Sequence, residues 1–162
     1  MARGHWIALT LPLALAALFF ASTPGEAQKT TLPEYYNKVS SDPKVIVSQI
    51  QMGLELEKKA LAAFEAAGPA DDLTEAHLTA SNAYVAIRAA RDGLFGLKGR
   101  KKLADPVLLL AYEKTNAAWN RSRGPVDHMP PMGNLRAGYL STSIRQMNEV
   151  IAWLEQVLLM WP

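Results

Sequence analysis

The chain contains no cysteine among its 162 residues. This absence excludes disulfide bonds, catalysis by a thiolate, iron–sulfur clusters, cysteine-based zinc sites and haem attached through thioether bonds. The fold must therefore be stabilised by packing and hydrogen bonds alone. About 135 residues remain once an N-terminal leader is set aside, and a chain of that length can bury a sufficient single core.

The chain also has little excess charge of either sign, with a formal net charge of +2. Binding to nucleic acid requires a clustered basic face that neutralises phosphates, so the sequence predicts no nucleic-acid partner. Hydrophobic residues make up 49% and charged residues 20% of the chain. These fractions are typical of one globular domain rather than of a disordered chain.

The motifs of common catalytic sites are missing as well. The sequence has no Gly-x-Ser-x-Gly nucleophile motif, no Walker phosphate loop and no Glu-x-x-His pair for a di-metal carboxylate site. It has three histidines, and one of them, His5, lies in the leader. We therefore expect a protein that is not an enzyme.

The first 27 residues have the pattern of a secretory signal peptide. Arg3 supplies a positive start, and Trp6 to Ala21 is apolar except for Thr10. Gly25 and Ala27 place small residues at the third and first positions before a cut. The apolar run of about 16 residues is shorter than the roughly 20 that span a bilayer. The pattern predicts cleavage after Ala27 and a periplasmic or secreted protein, and the alternative is a leader retained as a membrane anchor.

The remaining chain contains residues that typically start and end long helices. Residues 28–42 form a polar arm with a short helix expected from Pro33 to Val39, and Asp42-Pro43 and Asp105-Pro106 each pair an N-cap with a proline at the first helical position. No run alternates like a strand. The first long helix is expected to end at Gly68-Pro69, and the second to start near Asp71-Asp72 and to break at Gly96–Lys102. The third is followed by an expected loop over Arg121–Gly133. Asn134 is expected to cap a fourth helix that reaches Pro162.

Each helix carries an apolar stripe, which predicts an all-α fold: an antiparallel up-down-up-down four-helix bundle over residues 43–162, after a cleaved signal peptide. Small residues at Gly53, Ala60 and Ala67 predict a close neighbour for the first helix. The expected inward residues are Val47, Ile50, Leu54, Glu57, Leu61 and Phe64; Leu73, Ala76, Ala80, Ala83, Ile87, Ala90, Leu94 and Leu97; Leu109, Tyr112, Asn116 and Trp119; and Ala137, Leu140, Ile144, Met147, Ile151, Leu154, Leu158 and Trp161.

Glu57 is the one charged residue on the stripe of the first helix. An isolated buried carboxylate costs several kcal/mol or more, so this side chain must be paired, neutralised or hydrated. It either reaches the rim or pairs with Arg88 or Arg91, or it is a buried acid that binds something. An enzyme with an unrecognised site would need its pocket around this residue.

In an up-down bundle, His77 would lie near the loop that contains His128, Met129 and Met132. Imidazole and thioether groups suit copper, and thioethers favour Cu(I). These four residues are therefore a candidate metal site, with copper as the only cofactor that the sequence suggests. The alternative is that the methionines form an apolar plug over that end of the bundle.

Two further features point to partners. Leu159 and Met160 fall off the inward stripe of the last helix, and with Trp161 they form a candidate docking surface for a protein partner or a second copy. Lys98, Arg100, Lys101 and Lys102 form a basic loop for an acidic partner or anionic lipid. Membrane contact is expected only through this loop or an uncleaved leader. The leading prediction is an exported, non-catalytic protein that binds a partner or ligand, and the alternative is a periplasmic copper-binding protein.

Overall fold

The computed structural model describes residues 32–100 and 105–161, and this part of the chain is helical and contains no strand. The all-α prediction is confirmed. Among these residues, no helix is both long and apolar enough to cross a membrane. The predicted signal peptide, together with Lys101 and Lys102 of the basic loop, lies outside the described residues. The elements are α1 (Glu34–Asn37), α2 (Pro43–Glu65), α3 (Thr74–Arg100), α4 (Pro106–Ser122), a 3-10 helix (Gly133–Leu135) and α5 (Arg136–Met160).

Aspartate caps start three of the four long helices. Asp42 accepts a hydrogen bond from the backbone N–H of Lys44 at 2.9 Å, and Asp105 accepts one from Val107 at 3.0 Å. Asp72 accepts one from Thr74 at 2.9 Å at the start of α3. Each carboxylate satisfies a backbone donor that has no partner inside its helix. The cap-and-proline signals therefore place the starts of α2 and α4 correctly.

Two predicted boundaries are wrong. The second long helix does not break at Gly96, because α3 continues to Arg100 and buries Leu97. A glycine inside a helix costs only about 1 kcal/mol, and the burial of apolar side chains on either side offsets it. Asn134 does not cap the last helix, since it lies in the 3-10 turn and Leu135 occupies the N-cap position.

The four long helices pack around a shared interior. α2 contacts α3 and α5, α4 also contacts α3 and α5, and α1 contacts α2 and α3. The buried amide of Gln49 on α2 holds the arm, because its Nε2 donates to the carbonyl oxygens of Tyr35 at 3.1 Å and Lys38 at 2.8 Å. The N-terminal arm is thus tied to the first long helix by hydrogen bonds as well as by packing.

The inward faces agree with the predicted stripes to different degrees. All eight residues predicted for α3 are buried. On α4 the buried face is rotated by one position from the predicted stripe. On α5 the predicted Met147 and Leu154 are buried, whereas Ser143, Val150 and Val157 are buried in place of their predicted neighbours. The buried residues are Leu108, Ala111, Thr115, Ala118 and Ser122 on α4, and Arg136, Ser143, Met147, Val150, Leu154 and Val157 on α5.

The predicted close approach involves α2 and α3. A Cβ atom added at Gly53 would lie 2.7 Å from Ile87 Cγ1, and one added at Gly93 would lie 2.8 Å from Ile46 Cγ1 and closer still to the carbonyl oxygen of Ser40. Real Cβ contacts are not that short. The two helices therefore touch at positions where a side chain cannot be accommodated.

Replacing Gly93 by alanine tests this contact. We expect Gly93→Ala to lower the free energy of unfolding by about 1–3 kcal/mol, because the added methyl group meets a backbone oxygen and a buried isoleucine, so the backbone itself has to shift. Gly96→Ala is the matched control on the same helix, since nothing lies within 4 Å of its added Cβ. That variant should gain up to about 1 kcal/mol from helix propensity. Urea denaturation of both variants measures the difference, and equal stabilities would contradict the packing described.

Candidate functional site

The segment after α4 is fastened to two helices through one carbonyl group. The Nδ1 atom of His77 on α3 lies 3.1 Å from the carbonyl oxygen of Pro125, and the hydroxyl of Tyr139 on α5 donates to the same oxygen at 2.9 Å. A carbonyl only accepts hydrogen bonds, so Nδ1 is the nitrogen of His77 that donates here, and Nε2 takes no part in this bond. Burial raises the pKa of Tyr139, which keeps its hydroxyl protonated as a donor.

A small cavity of about 280 Å³ opens between the start of α3 and the start of α5. Its walls come from the segment before α3 and from the segment before α5, which lie far apart in the sequence. Met129 and Met132 contribute exposed thioether side chains to its rim. The residues that line it are Ala70, Asp71, Asp72, Leu73, Thr74, Met129, Pro130, Met132 and Arg136.

Arg136 is the most unusual residue of this cavity, because its side chain is only 3% exposed. Its NH2 group donates to the carbonyl oxygen of Asp71 at 2.7 Å, and its NH1 group donates to the Met132 sulfur at 3.4 Å. Its Nε is buried and has no hydrogen-bond partner. Among the described residues the guanidinium forms no ion pair. A buried cation without a counter-ion is costly, so this group is a candidate ligand contact.

The start of α5 adds to the positive potential at Arg136. Neither the 3-10 helix nor α5 has a side chain that caps its first backbone N–H groups. The N-terminus of a long helix carries a partial positive charge that attracts anions. Arg136 is not predicted by the stripe counted from Ala137. The signal for it is the row Arg136, Ser143, Val150 and Val157 at steps of seven, one position away from that stripe.

The four predicted copper ligands are only partly brought together. Met129 and Met132 line the cavity, but neither His77 nor His128 does. His128 is exposed, and its carbonyl oxygen lies 3.3 Å from the hydroxyl of Tyr139. No group of three or more histidine, aspartate or glutamate side chains in the described part of the chain is placed to hold a metal ion.

Glu57 is a buried acid, with 1% of its surface exposed. Its Oε2 has no hydrogen-bond partner. It pairs with neither predicted arginine, because Arg88 and Arg91 both contact Asp92 and Arg91 also stacks 4.1 Å from the ring centroid of Trp119. Desolvation raises the pKa of Glu57 from 4.5 to about 8, so the carboxyl group is protonated in the folded protein at neutral pH.

The predicted docking residues differ in exposure. Leu159 is 85% exposed, whereas Met160 and Trp161 are partly buried against the larger hydrophobic cluster. Lys98 and Arg100, predicted to lie in a loop, are instead the last residues of α3. The amino group of Lys98 lies 4.8 Å above the ring of Tyr112, where the ring's negative face attracts it.

Two larger grooves lie elsewhere on the described part of the chain. One lies between α2 and α3, with acidic Asp71, Asp72 and Glu75 beside Lys59. The other lies between α4 and α5 and contains Arg121, Arg123 and Trp153 among its lining residues. In the second groove Arg121 pairs with Glu149 at 2.5 Å and Arg123 with Asp127 at 3.6 Å, so its cations already have partners.

No protein family model matches the chain, and no curated protein and no solved structure shows significant similarity to it. Its function is therefore inferred from its own cavities, buried charges and exposed surfaces.

The buried carboxyl group of Glu57 predicts a pH dependence of stability. Between pH 4.5 and about 8 the unfolded chain has lost this proton and the folded chain has kept it. The contribution of Glu57 to the free energy of unfolding should therefore be highest below pH 4.5 and fall as pH rises to about 8, by roughly 1.4 kcal/mol per pH unit at most.

Glu57→Gln removes the titrating proton and should flatten the fall in the free energy of unfolding between pH 5 and 8. The exposed Glu55 lies on the same helix, so Glu55→Gln is the control and should leave the slope unchanged. Urea titrations at several pH values measure both. A slope retained in Glu57→Gln would show that another group is responsible.

Proposed function

We propose that this protein is an exported, non-catalytic binding protein built as an antiparallel up-down-up-down four-helix bundle. Export is supported by the basic, apolar and small-residue pattern of the first 27 residues. A binding role is supported by an exposed apolar turn, a buried cation beside a cavity, and a sequence without the common catalytic motifs.

Contacts between the helices support the antiparallel arrangement. As the residue number rises on one helix of a pair, the number of its partner falls on the other. On α2 and α3 the pairs are Ile46–Gly93 and Gly53–Ile87, and on α3 and α4 they are Tyr84–Trp119 and Phe95–Tyr112. Between α5 and the end of α4 with the turn after it, they are Arg121–Glu149 and Gly124–Gln146. On α2 and α5 they are Lys58–Glu155 and Phe64–Tyr139.

Leu159 carries the proposal of a partner surface. A leucine that is 85% exposed in the last turn of a helix gains nothing from its own fold. In the proposed bundle the exposed Phe95, Val107 and Leu110 lie at the same end, because α3 ends, α4 begins and α5 ends there. A protein that contacts this end would bury these side chains together.

The charge of this end favours an acidic partner. Lys98, Arg100, Lys101 and Lys102 form the most basic stretch of the mature chain. Basic residues around an apolar surface speed the association with a surface of opposite sign and select against basic partners. The partner is thus a protein with an apolar contact surface edged by acidic residues, and a second copy and an anionic membrane are the competing occupants.

Leu159→Asp tests the surface without disturbing the core, because the side chain does not pack inside. We expect a partner captured from the native exported fraction, and then purified, to bind this variant at least about tenfold more weakly than the wild type. Ala152 is also exposed on α5, so Ala152→Asp is the control for added charge and should bind normally.

Unchanged binding of the purified partner to Leu159→Asp would contradict the proposal. Sedimentation of the protein alone tests whether the occupant is a second copy: a dimer that Leu159→Asp dissociates would mean that this surface binds itself and not an acidic partner. Flotation with anionic vesicles tests the membrane: vesicle binding that Leu159→Asp abolishes would mean that the surface binds lipid.

One observation favours the copper alternative and another opposes it. Hydrogen bonding of His77 Nδ1 to a backbone carbonyl is the usual arrangement of a metal-binding histidine, with Nε2 left for the metal. Against this, the guanidinium of Arg136 lies 3.4 Å from the Met132 sulfur and repels a cation there. The alternative therefore depends on His77, His128 and Met129 more than on Met132.

On the copper alternative, the purified protein takes up one Cu(I) ion, and His128→Ala weakens the binding. A competition titration against a coloured Cu(I) chelator measures the affinity. His5 lies in the leader, so the two remaining histidines are the variants to compare. No stoichiometric uptake, or uptake that His128→Ala leaves unchanged, would rule the alternative out.

A further inference from the structure

We propose that the cavity beside Arg136 binds a free α-amino acid with an apolar side chain, whose carboxylate contacts Arg136 and whose ammonium faces Asp71 and Asp72. The docking surface around Leu159 plays no part in this site. The two proposals can therefore fail independently.

The carboxylate position follows from the unused donors. The NH1 group of Arg136 is bonded only to a thioether, which is a weak acceptor, and Nε has no partner but is itself buried. A carboxylate is the group that a planar guanidinium binds best, because two parallel N–H donors match its two oxygens. The uncapped first turn of α5 offers further positive potential to the same anion.

The ammonium position follows from the two aspartates that also line the cavity. Asp71 accepts a hydrogen bond from the backbone N–H of Gly68 at 2.6 Å, and Asp72 accepts one from Thr74 at 2.9 Å. Each carboxylate has about four acceptor positions, so these bonds leave capacity for a cation. Hydrogen bonds with Thr74 lower the pKa of Asp72, which is therefore charged at neutral pH. A purely anionic ligand would be repelled by these aspartates, whereas a zwitterion satisfies both walls.

The remaining wall is apolar and adaptable. Leu73, Met129, Pro130 and Met132 provide it, and both methionines are exposed at the rim. Unbranched thioether side chains fit ligands of different shape. The volume of about 280 Å³ is slightly below the roughly 300–1,000 Å³ of sites for drug-sized molecules, so a ligand of amino-acid size fits best.

Three related compounds test the assignment by isothermal titration calorimetry, in the presence of EDTA to exclude metal effects. L-Leucine has both charged groups, N-acetyl-L-leucine lacks the ammonium, and L-leucinamide lacks the carboxylate. We expect leucine to bind, N-acetyl-leucine to bind at least about threefold more weakly, and leucinamide at least about tenfold more weakly. Failure of leucine to bind at millimolar concentration overturns the proposal, and so does equal binding of leucine and leucinamide.

Variants locate the bound leucine in the cavity. Arg136→Gln should reduce its affinity at least about tenfold. Because that change also removes the bond to Asp71, Asp72→Asn is the second variant, and asparagine retains the cap on α3. We expect Asp72→Asn to weaken leucine binding about two- to fivefold. Leucinamide should still bind this variant more weakly than N-acetyl-leucine does.

Asp105→Asn is the matched control, because Asp105 caps α4 in the same way and does not line the cavity. It should bind leucine like the wild type. Leucine binding that neither Arg136→Gln nor Asp72→Asn changes would place the ligand elsewhere and overturn the assignment. Shifts of the amide resonances of Leu73 and Thr74 on adding leucine provide a readout that does not depend on affinity.

Discussion

The close contact between α2 and α3 is the constraint on which the rest of the structure depends. Gly53 and Gly93 leave room for Ile87 and Ile46, and alanines fill most of the inward face of α3. Helices that approach this closely leave little volume for large side chains between them. On α4 the small residues Ala111, Thr115 and Ala118 accordingly face inward, and Tyr112 and Trp119 pack beside them, partly buried.

The core is divided into two hydrophobic clusters. One hydrophobic cluster contains Ile50 on α2, and the other contains Ala60, with Glu57 between them along the helix. A buried carboxyl group without an ion pair interrupts apolar packing on both sides. The folded protein avoids a buried charge there by keeping the proton, so proton binding and folding are linked at this residue. Stability and acidity are consequently coupled at the middle of α2, away from the cavity.

The sequence is informative where a local rule acts alone. Asp42-Pro43 and Asp105-Pro106 identify helix starts because a cap depends only on neighbouring residues, and the alanine stripe of α3 identifies its buried face. The sequence is uninformative where contacts with distant residues determine the structure. Gly96 predicts the end of a helix, yet α3 continues past it because Leu97 is buried. Arg136 falls outside the stripe counted from Ala137, and its 3% exposure goes with a bond to Asp71, 65 residues away in the chain, which no local rule predicts.

The two ends of α5 are held by different forces. At its start, Arg136 and Tyr139 donate hydrogen bonds to backbone carbonyls of other segments, which fixes polar groups around a small concave space. At its finish, Met160 and Trp161 pack against the core while Leu159 points away from it. On the functions proposed here, the small cavity at its start would select a small charged molecule by geometry, and Leu159 near its end would select a protein surface by apolar area.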